Sequence, residues 1–499
     1  MNVKAVTDVQ NRTSSIFIKI AYLYLAIPFL IFTFGWFRLP IAIISAGIVI
    51  TGLYFAFRYA PKTDISQFSK ENIPKILMIV IIAFIWVYMS GIGGFAFQNF
   101  DHMWRNAILK NLVEYEWPII INDASPYFSE PVAMIYYFAF WLPAACVGKV
   151  MGLQAAHTFL YFWSVLGVLI VFYLISAFHK KISVPVIIAF VFFSGLDIVC
   201  SFLYNNHADF TWFSSEHIEH WAYGFQISSL TTQLFWVFNQ SVPAWIVTLM
   251  LLHSKDAKSL VFIYSFSLLF CTLPAVGMIP IVAYLAISRC IKMYDKSLEA
   301  KKNIKIIAHE IFTFQNVVAG GFIGIMSFLF LKNNSSGSGG IQLIDVKNYF
   351  MLYLFFCFFE FIVYFVAIYK TQHKNKLFYL SLFSLLIVPF IKVGANIDFV
   401  MRASIPALII LFLMIIDTLK IHIANKKYVN AGVLCLLLAL GGITAEHEIM
   451  RSVIITSKAG QDPSVSIIAE EIDLMENYMR NNFFGECTDT FFFRYIVRQ

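Results

Sequence analysis

The feature that most constrains this chain is a succession of long apolar runs separated by short basic loops. A run of about 18–20 apolar residues is long enough to cross a hydrocarbon core as a helix. The sequence is 60% hydrophobic and only 13% charged, whereas a soluble domain has about 25% charged residues. It lacks the alternating segments of about ten residues that build a transmembrane barrel. We therefore predict an all-α polytopic integral membrane protein.

We predict thirteen membrane-spanning helices. Their ranges are 17–36, 39–58, 75–92, 155–177, 183–203, 236–252, 259–271, 275–288, 310–331, 348–369, 377–394, 403–420 and 428–445. They form a transmembrane domain over residues 1–444, and residues 445–499 form a small exterior tail with an acidic helical piece at 466–482. The seven cysteines include no CxxC pair, which favours buried apolar roles over a disulfide framework or a metal site.

The positions of lysine and arginine predict the orientation, because short cytoplasmic loops are enriched in both. Basic residues before the first span and between the second and third spans place the N-terminus inside. The later basic clusters, such as 289–305, also fall inside if the apolar run 131–150 enters the outer leaflet without crossing it. We therefore expect 131–150, which Pro143 interrupts, to form a juxtamembrane or re-entrant helix packed against protein.

The stretch 259–288 is long for one span and short for two. Pro274, Gly277 and Pro280 predict a tight hairpin whose tip, TLPAVG, faces outside. With this topology all the long polar loops are exterior. They are 93–130, within a first exterior loop over 93–153, then 204–235, 332–347 and 395–402. The net charge of +7 comes from short loops and does not indicate nucleic acid as a partner.

The first candidate site lies in the first exterior loop, around Asp101, His102 and Arg105. Residues 101–115 have the spacing of an amphipathic helix, which we expect to lie flat on the outer leaflet. In one interpretation Asp101 only caps this helix. In the other it is a general base at the water–lipid boundary, where partial desolvation makes a carboxylate more basic. His102 and Arg105 would then orient Asp101 or neutralise a phosphate.

The second exterior loop, 204–235, combines acidic, histidine and aromatic side chains. Its candidate substrate-binding residues are Glu216, His217, Glu219, His220 and Trp221. Paired histidines of zinc helices are spaced HxxxH or HxxEH, whereas here the spacing is HxxH, so we predict no metal site. Aromatic faces beside hydrogen-bonding groups suit a sugar ring. The alternative is an ordinary interfacial belt of aromatic residues.

The third candidate is Arg402 at the mouth of a spanning helix, with Lys392 and Asp398 shortly before it. An arginine held there can donate two hydrogen bonds to a phosphate, with Asp398 orienting it. The alternative is an arginine that extends to the membrane surface for solvation.

The fourth candidate is the pair Asn239 and Gln240, near the outer end of a span. Their amides would be costly against lipid, so we expect them to face a cavity or a partner helix.

Several of these segments resemble the GT-C superfamily of polytopic glycosyltransferases. The matching pieces are FQNFDHMWRNAILKNLVEYEWPI, YYFAFWLPAACVGKVMG, WVFNQSVPAW and NIDFVMRASIPAL. The resemblance covers residues 75–420 as an architecture with short motifs. In GT-C enzymes the first large exterior loop bears a catalytic acid and is followed by juxtamembrane helices. The resemblance assigns that role to Asp101 and matches the non-crossing run 131–150.

The resemblance implies an inverting transfer of a sugar from a polyprenyl-phosphate donor to a glycan, lipid or protein acceptor. Asp101, assisted by His102, would be the general base, and Arg402, Lys392 and Arg105 would hold the donor phosphate. A divalent metal is compatible with this chemistry but is not required. The expected location is a bacterial inner membrane, with the site on its outer side and membrane lipid around it.

Two alternatives remain at this stage. A polysaccharide polymerase or ligase would use several exterior arginines for a pyrophosphate, and this chain has few of them. A transporter of lipid-linked glycans would carry charged residues inside its spans. Asp197 and Glu360 are the clear cases of such residues in this sequence.

Overall fold

The computed structural model describes residues 3–61, 70–122, 130–204, 217–222, 224–334, 340–343, 349–393, 398–474 and 482–498. Nineteen α-helices run through these parts of the chain. They are α1 (Val3–Trp36), α2 (Leu39–Tyr59), α3 (Ile73–Met89), α4 (His102–Glu114), α5 (Leu142–Met151), α6 (Leu153–Phe178), α7 (Val184–Val191), α8 (Asp197–Tyr204), α9 (Leu230–His253), α10 (Leu260–Phe270), α11 (Thr272–Met293), α12 (Ala300–Ile311), α13 (Gly321–Leu331), α14 (Phe350–Cys357), α15 (Val363–Gln372), α16 (Lys376–Ile387), α17 (Asp398–Ala403), α18 (Ile405–Ala424) and α19 (Tyr428–Gln461).

Ten helical stretches in the described ranges are long and apolar enough to cross a membrane. Two of them join neighbouring helices through π-helical turns: Phe314–Gly320 leads into α13, and Phe358–Ile362 connects α14 to α15. The ten stretches coincide with ten of the thirteen predicted spans. The class of helical integral membrane protein is therefore confirmed, while the count of thirteen stays a prediction.

The other three predicted spans are shorter or broken helices. The expected continuous helix over 183–203 is wrong, because the chain leaves helical geometry between α7 and α8. Backbone groups in the gap bond to neighbouring elements: Leu196 N–H donates to the carbonyl of Phe359 at 3.0 Å, and Phe193 accepts from Leu230 N–H at 3.0 Å. A broken helix is tolerated at membrane depth when protein satisfies its backbone in this way.

The stretch 259–288 is two helices, as predicted, but the position of the turn was wrong. The break falls at Cys271, whose φ of −154° and ψ of 71° end α10 and begin α11. Pro274 then lies in the first turn of α11, where its missing N–H breaks no helical hydrogen bond. The third shortened span is α16, which ends in a 3-10 turn at Val388–Phe390.

The run 131–150 does not form a spanning helix. It contains the short strand β2 (Val132–Met134), a 3-10 turn at Ala139–Trp141 and then α5. At 1.5 Å per residue, the helical part from Ala139 to Met151 is shorter than a hydrocarbon core of about 30 Å. Its first two turns are buried in the protein. The predicted helix therefore covers only the second half of 131–150, and its entry into the outer leaflet stays a prediction.

The C-terminal region departs from expectation. Helix α19 continues to Gln461, so the predicted boundary at residue 445 lies inside one helix. Residues 466–474 are not helical, contrary to the predicted acidic helix. They lie instead along the loop before Asp101, where Gln98 N–H donates to the carbonyl of Ile467 at 2.7 Å. The tail thus becomes part of the wall around the first exterior loop.

Two small antiparallel sheets complete the fold. Strands β1 (Ile120–Ile121), β2 and β5 (Phe484–Glu486) pair in the order β1-β2-β5, with Ile120 opposite Ala133 and Met134 opposite Phe484. Strands β3 (Ile341–Leu343) and β4 (Ile391–Val393) form the second sheet. Near the C-terminus, Val497 bridges to Phe37 at the end of α1. The first sheet and this bridge attach the tail to the exterior loops.

One close approach positions the segment that carries Arg402. A Cβ built on Gly277 of α11 would overlap the carbonyl oxygen of Ala403, the residue after Arg402. Only glycine lets the backbones of α11 and α17 meet at this distance, so the short helix α17 depends on Gly277.

We predict that Gly277→Ala destabilises the protein by about 1–3 kcal/mol, because the added methyl group must push α17 away from α11. The matched control is Gly47→Ala in α2, since a Cβ there has no neighbour within 4 Å. Thermal unfolding of the two variants in detergent measures the difference. Equal midpoints would show that the contact is not tight.

Candidate functional site

The site is built around a kink in α9. Val237, with φ −135° and ψ 38°, is not helical, although helix continues on both sides of it. The carbonyls just before the kink accept hydrogen bonds from the first exterior loop. Phe235 O accepts from Asn99 Nδ2 at 2.8 Å, and Trp236 O accepts from Arg105 Nη2 at 3.2 Å. The kink therefore attaches α4 and the loop before it to a spanning helix.

Arg105 is the central side chain on α4. It is buried, and besides Trp236 O it contacts the Asp101 carboxylate at 3.0 Å and the Tyr136 hydroxyl at 3.4 Å. Burial by itself would lower its pKa, but Tyr136 and Asp101 raise it, and the pKa ends above its ordinary value. Its Nε has no hydrogen-bond partner within the described residues. Arg105 is thus a fixed, buried positive charge with an unused donor.

Asp101 precedes α4 but does not cap it. Its backbone is helical, with φ −65° and ψ −23°, and its side chain makes no capping bond. Instead Oδ2 accepts from Arg105, while the backbone N–H donates to Asn99 Oδ1 at 3.1 Å. The side chain is 28% exposed, against 6% for Arg105. The carboxylate is therefore oriented on one side and accessible on the other, which favours the functional interpretation over simple capping.

His102 is placed differently from Asp101. It is buried, and its Nε2–H donates to Phe235 O at 3.1 Å. Burial, followed by the charge of Arg105, lowers its pKa from 6.5 to about 4, so the ring is neutral near pH 7. The structure thus assigns this predicted catalytic residue a positioning role, holding the start of α4 on the α9 kink.

Arg402, on α17, belongs to the same cluster, although it is far from α4 in the sequence. Its Nη1 is 3.1 Å from Asp398 Oδ2, its side chain is 9% exposed, and its Nε has no partner in the described structure. Burial would lower its pKa, but Asp398, Tyr137, Tyr136 and Asp101 together raise it. The charge of Arg402 in turn acts on Arg105. The two guanidinium groups and the Asp101 carboxylate are therefore near enough for their charges to act on one another.

Tyr136 and Tyr137 lie between the two arginines. Their ring centroids are 3.8 Å apart, and the Tyr137 hydroxyl accepts from Gln240 Nε2 at 3.4 Å. Asn239 and Gln240 are fully buried, as expected for residues facing the protein. Neither Asn239 amide atom, nor Gln240 Oε1, has a hydrogen-bond partner in the described ranges. Unpaired buried amides beside a charged cluster are available to a bound polar ligand.

Lys392 belongs to the strand that packs against α17, the helix that carries Arg402. It lies in β4 opposite Gln342. No ion pair or hydrogen bond of its side chain reaches Arg402 or Asp101 in the described parts of the chain. Its predicted role in phosphate binding stays a prediction.

The predicted binding residues of the second exterior loop fall into two groups, one of Glu219 and Trp221 and one of His217 and His220. Glu216 lies outside the described residues. Glu219 and Trp221 point into a buried acidic cluster: Trp221 Nε1 donates to Asp197 at 3.2 Å, and Glu219 accepts from Thr232 Oγ1 at 2.6 Å. Glu360 belongs to the same cluster, because its carboxyl group lies against Gly195, two residues before Asp197, and both Asp197 and Glu219 act on it. Trp221 is buried, so it presents no open aromatic face for a sugar.

His217 and His220 lie on the other side of this loop, with ring centroids 4.9 Å apart. His217 also packs on Trp236, at 5.0 Å between centroids, and its Nδ1 is 3.7 Å from Glu448 Oε1. Since Trp236 O binds Arg105, this histidine group adjoins the Asp101 cluster. It is the part of the predicted binding surface that the structure brings to the site.

Sequence reasoning missed two charged residues at this point, Glu448 and Arg451. Glu448 accepts from Trp236 Nε1 at 3.0 Å and from Arg451 Nη2 at 2.7 Å. Arg451 also stacks over Phe97 and Trp236. The available signal was the charged spacing in EHEIMR, directly after an apolar run. It was assigned to a separate tail because the helix was expected to end at residue 445.

No group of three or more His, Cys, Asp or Glu side chains is arranged to hold a metal ion in the described part of the chain. Comparisons with protein-family profiles, with curated protein sequences and with solved structures found no match for this chain. The chemistry of the site therefore has to be argued from its own residues.

We predict that His102 makes stability depend on pH. Its pKa is about 4 when folded and near 6.5 in an unfolded chain, so the unfolded state binds more protons between these values. Stability should therefore fall as the pH drops from 6.5 to 4, by on the order of 3 kcal/mol. His102→Gln, which keeps a donor for Phe235 O, should reduce this dependence, whereas His309→Gln on α12 should not. Unfolding midpoints from pH 7 to pH 5 provide the measurement, and parallel curves for all three proteins would contradict the assignment.

Proposed function

We propose that this protein is a membrane glycosyltransferase of the GT-C type, transferring a sugar from a polyprenyl-phosphate donor to a glycan, lipid or protein acceptor at the outer face of the membrane. The observation that carries the proposal is that the neighbouring residues Asp101 and Arg105 meet Arg402, which is far away in the sequence. One accessible carboxylate beside two buried guanidiniums matches the needs of a transfer away from a phosphate.

The two arginines are proposed to hold the donor phosphate. Like charges repel, so placing Arg105 near Arg402 in a buried site costs free energy, which the carboxylates of Asp101 and Asp398 offset. Each has a buried Nε without a partner in the described structure. Guanidinium groups bind phosphate through forked hydrogen bonds and keep their charge at any physiological pH. They supply the positive charge that a metal would otherwise bring to the leaving group.

Asp101 is proposed to act as the general base. Arg105 occupies Oδ2, which leaves Oδ1 for the acceptor hydroxyl. As the acceptor oxygen attacks the anomeric carbon, its proton passes to Asp101, a new C–O bond forms, and the bond from that carbon to the phosphate oxygen breaks. The lipid phosphate leaves with the electron pair. Attack from the side opposite the phosphate inverts the anomeric carbon.

The amides and the histidine group are proposed to bind the sugar. Asn239 and Gln240 offer unpaired donors and acceptors beside Tyr137, and Asp398 presents a partly exposed carboxylate next to Arg402. His217 and His220 lie toward the rim formed by Trp236 and α19. Amide, carboxylate and imidazole groups can form hydrogen bonds with sugar hydroxyls. A site built to bind a particular hydroxyl strongly rejects substrates that lack it.

A transporter of lipid-linked glycans is the second candidate. It is favoured by the convergence of Asp197, Glu219 and Glu360, since buried acids within spans can relay protons. The Glu360 side chain is buried next to Asp197, so acids from two different spans lie together inside the protein.

We predict that Asp101→Asn lowers sugar transfer by about 10²–10⁴-fold, because the base is lost while a similar shape remains. Purified protein would be incubated with radiolabelled polyprenyl-phosphate sugars and a membrane lipid extract. Glu114→Gln, an exposed acid on the same helix, should retain activity. Normal turnover in Asp101→Asn would refute the base, and dependence on Glu360 but not on Asp101 would favour the transporter.

We predict that Arg402→Ala weakens donor binding by about 10–150-fold, the range expected for lost hydrogen bonds between charged groups. The effect should appear first in KM for the donor, and Arg402→Lys should restore only part of it because lysine cannot form the fork. Arg58→Ala, at the exposed end of α2, is the control. A donor KM unchanged by Arg402→Ala would overturn the phosphate assignment.

A further inference from the structure

A cavity of about 750 Å³ lies at the end of the molecule opposite Arg402. Helix α11 connects the two places: Gly277 meets the residue next to Arg402, and Met293, at the other end of this helix, lines the cavity. From Gly277 to Met293 the helix rises by about 24 Å, most of the thickness of a hydrocarbon core of about 30 Å. The cavity therefore belongs to the leaflet opposite the proposed catalytic site, on the side that the basic loops identify as inner.

Helix α12 forms one wall of the cavity with a basic face. Lys302, Lys305 and His309 line the cavity, at the i, i+3, i+7 spacing that places residues on one side of a helix. Two apolar side chains are also exposed here: Ile304, outside the lining, and Phe312, which follows α12 and is part of the lining. An amphipathic helix with basic and apolar faces is typical of a segment lying in the membrane interface.

The position of α12 is determined by a specific contact. Asn303 is buried, and its Nδ2 donates to Asp295 O at 2.8 Å while its Oδ1 accepts from Asp295 N–H at 2.9 Å. This pair closes the connection from α11 and holds the basic face of α12 over the cavity. The cavity is therefore a built feature of the fold.

The charge of the cavity is unbalanced. Lys258 is 3.9 Å from Glu310 Oε2 and 4.5 Å from the ring centroid of Tyr59, so the single lining carboxylate has a partner. Lys302 and Lys305 form no ion pair in the described structure. The lining thus carries a net positive charge, with apolar walls from Phe55 and its neighbours.

An uncharged donor completes the lining. Gln315 is 1% exposed, and its Nε2 has no hydrogen-bond partner in the described ranges. It lies in the π-helical turn that follows α12, where Thr313 Oγ1 donates to Lys258 O at 2.6 Å. A buried amide without a partner costs free energy unless a ligand supplies an acceptor.

We propose that this cavity binds the phosphate headgroup of an anionic phospholipid of the inner leaflet. Lys302 and Lys305 would contact the phosphate, Gln315 would donate to one of its oxygens, and the acyl chains would run along the apolar residues exposed beside α12. Anionic lipids are drawn to clustered basic residues at the cytoplasmic surface. We infer a lipid as the occupant and not a free anion, because Ile304, Ile306 and Phe312 expose apolar surface beside the basic side chains.

The test compares two double variants of the full chain. K302Q/K305Q removes the lining lysines, and K296Q/K301Q removes two lysines outside the lining while changing net charge equally. Binding of fluorescent phosphatidylglycerol and phosphatidylcholine would be measured in zwitterionic detergent, with unfolding midpoints as a check of folding. The wild type and K296Q/K301Q should prefer phosphatidylglycerol, and K302Q/K305Q should bind it about 30-fold more weakly.

Equal affinity of both double variants for phosphatidylglycerol would refute the site. Displacement of the lipid by millimolar inorganic phosphate alone would show a free-anion site and overturn the lipid assignment. If K302Q/K305Q fails to fold, Gln315→Leu provides the second variant, since it removes the donor without changing charge. Unchanged phosphatidylglycerol affinity in Gln315→Leu would then contradict the proposal.

Discussion

The exterior half of this protein depends on the burial of two arginine side chains. A guanidinium group cannot lose its charge in a protein, so Arg105 and Arg402 must be stabilised by what surrounds them. Arg105 has a carboxylate, a backbone carbonyl and a tyrosine hydroxyl, and Arg402 has Asp398. In each arginine the Nε–H has no hydrogen-bond acceptor in the described residues. The two unpaired Nε–H donors cost free energy in the empty site, and they are available to bind an anion.

The kink in α9 supplies much of this compensation. A regular helix turns its carbonyls toward its own N–H groups, so it has none to offer a neighbour. Val237 departs from helical geometry, and the carbonyls of Phe235 and Trp236 accept from α4 instead. Pro243 further along has no N–H, which weakens the helical pattern in the same region. One local irregularity therefore connects a spanning helix to the exterior loop that carries Asp101.

The features that could be predicted from the sequence are those that depend on local composition, above all the spanning helices. Length and apolarity located ten spans, and the basic loops explained why 131–150 does not cross. The breaks could not be predicted, because they depend on tertiary partners. The gap between α7 and α8 exists where Gly195 meets Glu360, a residue far away in the sequence. The length of α19 was missed for the same reason: besides the Glu448–Arg451 pair within the helix, its charged turn is stabilised by Trp236 and His217.

In the candidate site, too, some residues could be predicted from local sequence, whereas their contacts depend on the fold. Asp101 and Arg402 could be predicted, because a charged side chain next to an apolar run costs free energy near lipid and therefore indicates a function. Their proximity was only a hypothesis, and it required the folded chain. Tyr137, which bridges toward Gln240, carries no charge signal and could not be singled out among 24 tyrosines. His102 looked catalytic because it follows Asp101, but helical geometry turns adjacent residues in different directions, and the ring lies in the interior.

The acidic cluster has a structural explanation that limits the case for a transporter. Asp197 accepts from Ser194 Oγ, Trp221 Nε1 and Thr444 Oγ1, so it joins the broken span to the exterior loop and to α19. Glu219 accepts from Ser229 N–H and Thr232 Oγ1 at the start of α9. These two acids satisfy donors that the break between α7 and α8 leaves inside the protein. A proton pathway would need acids that are not engaged in this way, whereas Glu360 is itself buried against Gly195 and Asp197.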